Sequence, residues 1–189
     1  MLILCSGEDT YRSLEKAREL EAAFRTKFDP NGSAIDRLSS GKDGVDELLS
    51  RATASSLFSP KRFFRAIDLV TSCPKAKLDA LVRTLERDVE GTIVVSVESG
   101  ELTSKALKPF SSLPKLVHYQ FQLMTPAEFR KWASEHASKN SLKDAKAIAQ
   151  LLDIAQGDTW TFVNEFMKLK AGGSVAPVKS ESPSLYDVI

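Results

Sequence analysis

A chain of 189 residues, 42% hydrophobic and 27% charged, has the material for one ordinary domain with a packed core, or for one domain and a small second module. Its 26 basic and 25 acidic residues leave a formal charge of +1, which excludes the global basic field of a protein that coats nucleic acid while allowing a local patch. The two cysteines, Cys5 and Cys73, form no C-x-x-C pair and read as buried free thiols of a reducing compartment. The most apolar run, Thr92–Val97, is far too short to cross a bilayer, so the chain is expected in the cytoplasm with no membrane partner.

Two periodicities alternate through the first 124 residues. Leu2–Cys5 is a short apolar run and predicts a buried strand. Tyr11, Leu14, Ala17, Leu20 and Phe24 share one face of a helix that Asp29-Pro30-Asn31-Gly32 stops. Residues 33–38 predict a second strand. Val45, Leu48, Leu49 and Ala52 then recur at i, i+3, i+4 and i+7, the spacing of an amphipathic helix. Residues 62–69 predict a third strand. Leu78, Leu81, Val82 and Leu85 mark a helix after Pro74, Thr92–Val97 predicts a doubly buried strand, and residues 102–110 a short helix. Val117, Tyr119, Phe121 and Leu123 alternate as a fifth strand. Apolar strands alternating with helices predict an α/β domain with a mainly parallel five-stranded sheet covered on both faces.

The pattern changes at Thr125-Pro126-Ala127-Glu128, which offers an N-cap, a first-turn proline and a capping box together. Phe129, Trp132, Ala133 and His136 predict the inner face of that helix. Leu142, Ala145, Ile148, Ala149 and Leu152 predict a second, ending near Gly157. Asp158 caps a third, with Trp160, Val163, Phe166, Met167 and Leu169 expected inward. Residues 125–172 thus predict a small three-helix domain, 173–184 a small, polar, proline-containing linker, and 184–189 a short apolar end.

Chemistry is hard to find. The turn after the first strand, Cys5 to Arg12, has one glycine, no lysine and two acids where a P-loop needs G-x-x-x-x-G-K-[ST]. Glu8 and Asp9 would repel a triphosphate, and Asp9 is better suited to cap the following helix. The acids suggest an alternative: a receiver-like phosphoacceptor signalling domain, with Glu8, Asp9 and Asp68 around Mg²⁺. His118 and His136 have no second ligand at metal spacing, and no nucleophile–base set stands out. The expectation is a non-catalytic protein without metal or cofactor.

Leu57 and Phe58 do not continue the stripe of the helix before them. At about 100° per residue they fall on either side of its centre. Ser55, Ser56 and Ser59 surround them, and Pro60 forbids further helix. Two arrangements satisfy this pattern. Either both side chains face outward as a plug for a partner's pocket, or the helix breaks at Ser55 and both fold back.

Three segments bear on the choice: LILCSGEDTY at 2–11, SLFSPKR at 56–62 and GDTWTFVNEFMKL at 157–169. Together and in this order, the chain resembles the delta subunit of the bacterial DNA polymerase III clamp loader. The resemblance implies a P-loop-ATPase-like (AAA+) α/β domain over 1–124 without a working P-loop, and a three-helix lid domain over 125–172. It implies that Leu57 and Phe58, flanked by Ser56 and Ser59, enter a pocket on the DNA sliding clamp (beta) and help open the ring during replication. It further implies a helical collar domain that joins the other clamp-loader subunits, of which 173–189 would be the approach. The chain itself would not be an enzyme; the polymerase activity belongs to the holoenzyme assembly. DNA contact by Lys61, Arg62 and Arg65, or by Lys139, Lys143 and Lys146, is expected to be weak, given the near-neutral charge balance.

Overall fold

The computed structural model describes residues 1–52, 61–87, 91–142 and 144–172, and the chain divides into two compact units, Met1–Leu123 and Met124–Ile189. In the first unit the order is β1 (Leu2–Ser6), α1 (Thr10–Phe28), β2 (Ile35–Ser40), α2 (Gly41–Ala52), β3 (Arg62–Ile67), α3 (Lys75–Arg87), β4 (Thr92–Val97), α4 (Ser104–Leu107) and β5 (Leu116–Gln120). The strands lie in the order β2-β3-β4-β1-β5, and every neighbouring pair is parallel.

Burial explains the sequence of the central strand. β1 is paired on both edges and covered on both faces, so all five of its residues are buried and four of them form an unbroken apolar run. Its side chains alternate between two cores. Leu2 and Leu4 join Val45 and Leu48 of α2, Phe64, and Leu81 and Leu85 of α3. Ile3 and Cys5 join Ala17 and Phe24 of α1, with Phe63 and Val95. Cys5 is fully buried, and burial pushes its thiol up to about 11 against a smaller lowering by Lys16, which keeps it protonated and inert. Cys73 is only half-buried, a correction to the expectation of two buried thiols.

Three strand boundaries differ from expectation, each for a local reason. β2 begins at Ile35 rather than Ser33, because the Asp29 carboxylate accepts hydrogen bonds from Ser33 N at 3.1 Å and Ala34 N at 2.7 Å and holds them in the turn. β3 ends at Ile67 because Asp68 takes φ 55°, which breaks the ladder. β5 ends at Gln120, yet Phe121 N still donates to Ser6 O at 2.8 Å.

Beyond β4, Glu98 is completely buried and is a hub for the chain following β3. Its carboxylate accepts from Val70 N and Thr71 N, both at 3.0 Å, from Thr71 Oγ1 at 2.9 Å and from Ser96 Oγ at 2.5 Å. An amide in its place would turn one acceptor into a donor facing donors. We expect Glu98→Gln to cost about 2 kcal/mol, since a buried donor left unpaired costs roughly 1–3 kcal/mol. Urea unfolding checks this; an unchanged midpoint would mean that water reaches these groups.

The second unit is built from α5 (Pro126–Lys139), α6 (Ala145–Ala155) and α7 (Thr159–Lys170). The capping box forms in both directions: Glu128 N donates to Thr125 Oγ1 at 3.4 Å, and Thr125 N donates to Glu128 Oε2 at 2.8 Å. Asp158 caps α7 by accepting from Thr161 N at 2.6 Å. The inward faces are rotated from those expected. α6 buries Leu151 and Ala155, with Ile148 and Leu152 beside them, while Ala145 and Ala149 are exposed. α7 buries the expected Phe166 and also Phe162, with the expected Val163 and Leu169 beside them, whereas Trp160 and Met167 are exposed. Residues 159, 162, 166 and 169 make as regular a stripe as the expected one, and the rings of Phe129 and Phe162, edge to face at 5.9 Å, select it.

Candidate partner-binding site

Residues 53–60, which join α2 to β3 and carry Ser56, Leu57, Phe58 and Ser59, lie outside the described residues. The structure does describe both stems of this segment. α2 is anchored by Val45 and Leu48, which are fully buried, with Leu49 and Ala52 against the same core. Gly44 is required there, because a Cβ would stand 2.1 Å from the Ser39 carbonyl oxygen. On the other side, Phe63 and Phe64 bury both faces of β3 at its start.

One carboxylate ties the stems together. Asp36 of β2 pairs through Oδ1 with Arg51 Nη1 of α2 at 3.0 Å, and through Oδ2 with Arg62 Nη2 of β3 at 3.1 Å. Arg62 Nη1 also donates to the Arg51 carbonyl oxygen at 2.5 Å. Glu47 extends the network to Arg51 at 3.5 Å, and the Ser39 hydroxyl, donating to it at 2.6 Å, holds that carboxyl below the usual carboxylate range. Nothing local in the sequence singles out Asp36; an acid in a strand otherwise heading for an apolar core was the one available signal. We expect Asp36→Ala to lower stability by about 1 kcal/mol, as befits half-exposed ion pairs. It should also accelerate amide exchange in the last turn of α2. Exchange as slow as in the parent would show that packing alone fixes the stem.

Lys61 and Arg62, considered above as phosphate contacts, are engaged internally. Lys61 Nζ stands 4.0 Å from the Phe28 ring centroid, and Arg62 lies over Phe64 besides pairing with Asp36. Lys139 and Lys146 are exposed on the second unit, and Lys143 is outside the described residues.

The turn after β1 does not fit a nucleotide triphosphate. Only Gly7, Glu8 and Asp9 separate β1 from α1. Asp9 is buried, its carboxylate accepting from Arg12 N at 3.1 Å and pairing with Arg12 Nε at 2.9 Å, so a negative charge already occupies the start of α1. The backbone of Phe121 closes over Gly7, and Asp9 N donates to Phe121 O at 3.1 Å.

The topology does not favour the receiver-like alternative. Glu8 and Asp9 follow β1 and Asp68 follows β3, but β4 stands between those strands. Asp9 is used as a helix cap. Asp68 accepts from Ser99 N at 2.7 Å and Ser99 Oγ at 2.9 Å. Among the described residues no group of three or more His, Cys, Asp or Glu side chains could hold a metal ion. His118 meets Ser6 Oγ at 2.7 Å, and His136 packs among Trp132, Phe162 and Phe166. No described helix is long and apolar enough to cross a membrane.

No protein-family model and no curated protein matches the chain. Solved structures do. The Bacillus subtilis DNA clamp loader delta protein (YqeN) superposes with a TM-score of 0.56 at 15% identity, over 90% of this chain and 52% of that one. A DNA polymerase III gamma subunit-related protein of Thermotoga maritima gives 0.53 at 19% identity, over 89% and 53%. The RuvB Holliday junction branch migration motor of Thermotoga maritima gives 0.53 at 13% identity, over 90% and 53%. The chain spans about half the length of each. At these identities the likeness establishes the fold: a P-loop-ATPase-like (AAA+) all-parallel five-stranded sheet with helices on both faces, followed by three helices.

Proposed function

We propose that this protein is a clamp-loader subunit of the delta type, acting in the cytoplasm during DNA replication. In this reading it hydrolyses nothing itself. Leu57 and Phe58, flanked by Ser56 and Ser59, dock in an apolar pocket of the DNA sliding clamp and help to open a single interface of the ring. Assembly with other clamp-loader subunits would use a collar domain of the kind the resemblance implies.

The observation that carries the reading is a contrast within one fold. The architecture is shared with clamp-loader proteins, yet the turn where an ATPase would cradle phosphate is filled by Asp9 and closed by Phe121. An AAA+ fold without room for the phosphates retains its surfaces for work on partners. The order of sequence motifs supplies the rest: a leucine–phenylalanine pair between two stems that Asp36 holds together. The test is co-purification of the full chain with the sliding clamp of its own source. A stable complex is expected without ATP. Failure to retain the clamp at micromolar concentrations of both proteins, roughly 8 kcal/mol of affinity, would remove the proposal.

A further inference from the structure

β5 is an edge of the sheet, and only half of its backbone is used. Leu2 N donates to Lys115 O at 3.0 Å, and Phe121 N donates to Ser6 O at 2.8 Å. These bonds set the phase of a parallel ladder. The odd-numbered residues of β5 turn their amides and carbonyls to β1, and Leu116, His118 and Gln120 turn theirs outward. Among the described residues none bonds to those outward groups. The open stretch has two natural ends. Before it, Pro114 has no N–H to offer. Beyond it, the Gln122 carbonyl oxygen already accepts from Arg12 Nη2 at 2.8 Å.

Open edges of sheets are commonly guarded by charge, proline or irregular pairing. The opposite edge is guarded: β2 shifts register between Arg37 and Ser40 and carries Asp36 and Arg37. β5 has none of these guards. It runs Leu116-Val117-His118-Tyr119-Gln120 in unbroken register with β1, without an acid, lysine, arginine, proline or glycine. Val117 and Tyr119 share the α1 face of the sheet with Ile3 and Cys5, and Val117 is 36% exposed. A β-branched and an aromatic residue on a free edge suit a further strand.

We infer that β5 is the contact through which two copies of this chain associate, the strands running antiparallel about a two-fold axis at His118. A strand of any protein can meet open amides; the side chains and the ends of the stretch select a second copy. With His118 opposite His118 of the second copy, Leu116 falls opposite Gln120, and the outward groups of both strands are satisfied. Val117 falls opposite Tyr119 on both sides of the axis, a β-branched residue against an aromatic ring. Lys16 lies over that ring at 5.1 Å, but its charge is paired with Glu19 at 3.1 Å. The ends match as well. Antiparallel pairing sets Pro114, which lacks a donor, toward Gln122, whose acceptor is already taken. The contact is isologous, as a two-fold dimer requires. A five-residue strand makes a small interface, so the dimer is weak and concentration-dependent. The inference rests on this edge and not on the sliding-clamp reading, and either can fail alone.

The test is sedimentation velocity of the full chain over a micromolar to millimolar concentration series, in which a dimer should grow in as concentration rises. Gln120→Pro removes an amide that no bond within one copy uses. It should leave the circular dichroism spectrum unchanged and weaken the dimer by about tenfold or more. Val117→Lys, at an exposed position, should act likewise by removing the apolar pair and charging the edge. Oxidative cross-linking reads the register. Opposed Cα atoms of a hydrogen-bonded antiparallel pair stand about 5.5 Å apart, within reach of a disulfide. His118→Cys should therefore cross-link to its own copy, whereas Gln120→Cys, about 14 Å from its copy along the strands, should not. The parent, with Cys5 buried and Cys73 half-buried, serves as the blank. A parent that is monomeric at every concentration overturns the inference. So does a dimer that survives both Gln120→Pro and Val117→Lys, which would place the contact elsewhere, or failure of His118→Cys to cross-link. A monomeric parent that binds a synthetic peptide of the β5 sequence would overturn it in favour of a different protein's strand.

Discussion

Leu57→Ala combined with Phe58→Ala is expected to abolish retention of the sliding clamp while leaving the fold intact. This is the largest functional effect expected of the protein, and its size follows from area. Fully burying a leucine or phenylalanine side chain contributes roughly 1.5–3 kcal/mol. At tenfold per 1.4 kcal/mol, losing both anchors weakens binding by about two to four powers of ten. A pair that serves a partner contributes little to its own fold, so urea unfolding should place the variant within about 0.5 kcal/mol of the parent. The two readouts separate the arrangements that the sequence leaves open. A pair that plugs a partner's pocket loses binding and keeps stability. A pair folded back into its own core loses several kcal/mol of stability, by cavity formation. Retained binding with unchanged stability would end the sliding-clamp reading. Ser56 and Ser59 flank the anchors, and their alanine variants should cost far less, because small residues there serve close approach and not area.

Much of the fold could be read from the chain because burial writes itself into period. β1 and β4 are covered on both faces, so Leu2–Cys5 and Thr92–Val97 are apolar without alternation. The capping box at Thr125 is visible because its partners are local. What failed to show depended on contacts distant in sequence. On α1, Glu21 lies three residues before Phe24 and four after Ala17, inside the apolar stripe. It is buried because Arg37 and Arg65 reach it from two strands, and no local pattern announces that. In strand β3, Arg62 and Arg65 looked like one basic cluster, yet they differ by an odd number of residues. The pleat therefore sends Arg62 to Asp36 and Arg65 to Glu21. On α7 the expected Phe166 is buried, but Phe162 joins it where the bulkier Trp160 and Met167 had been expected. Two helical stripes of equal regularity were available, and tertiary packing chose between them. The order of the strands was also illegible. Placing β4 between β1 and β3 separates the acids that had suggested a receiver site.

Gly7→Ala should destabilise the first unit more than any other single methyl group added to the described chain. Gly7 has φ 130°, a conformation essentially confined to glycine, so an alanine there stores about 1–3 kcal/mol of backbone strain. Its Cβ would stand 2.1 Å from the Phe121 carbonyl oxygen and 2.6 Å from the carbonyl carbon. Neither is the tip of a flexible side chain. The chain beyond β5 must withdraw, and with it go the bonds from Phe121 N to Ser6 O at 2.8 Å and from Asp9 N to Phe121 O at 3.1 Å. Overpacking of this kind costs about 1–3 kcal/mol on its own, so the total is expected near ~4 kcal/mol. A lowered urea midpoint would show it. The same substitution probes how the turn after β1 is closed. In a nucleotide-binding turn a glycine lets the backbone approach a ligand, whereas here it lets the backbone of Phe121 approach instead. If Gly7→Ala left stability unchanged, that closure would be loose enough to open. The case for a turn sealed against nucleotide would then fail, and with it the reason for assigning the ATPase-like unit to partner binding alone.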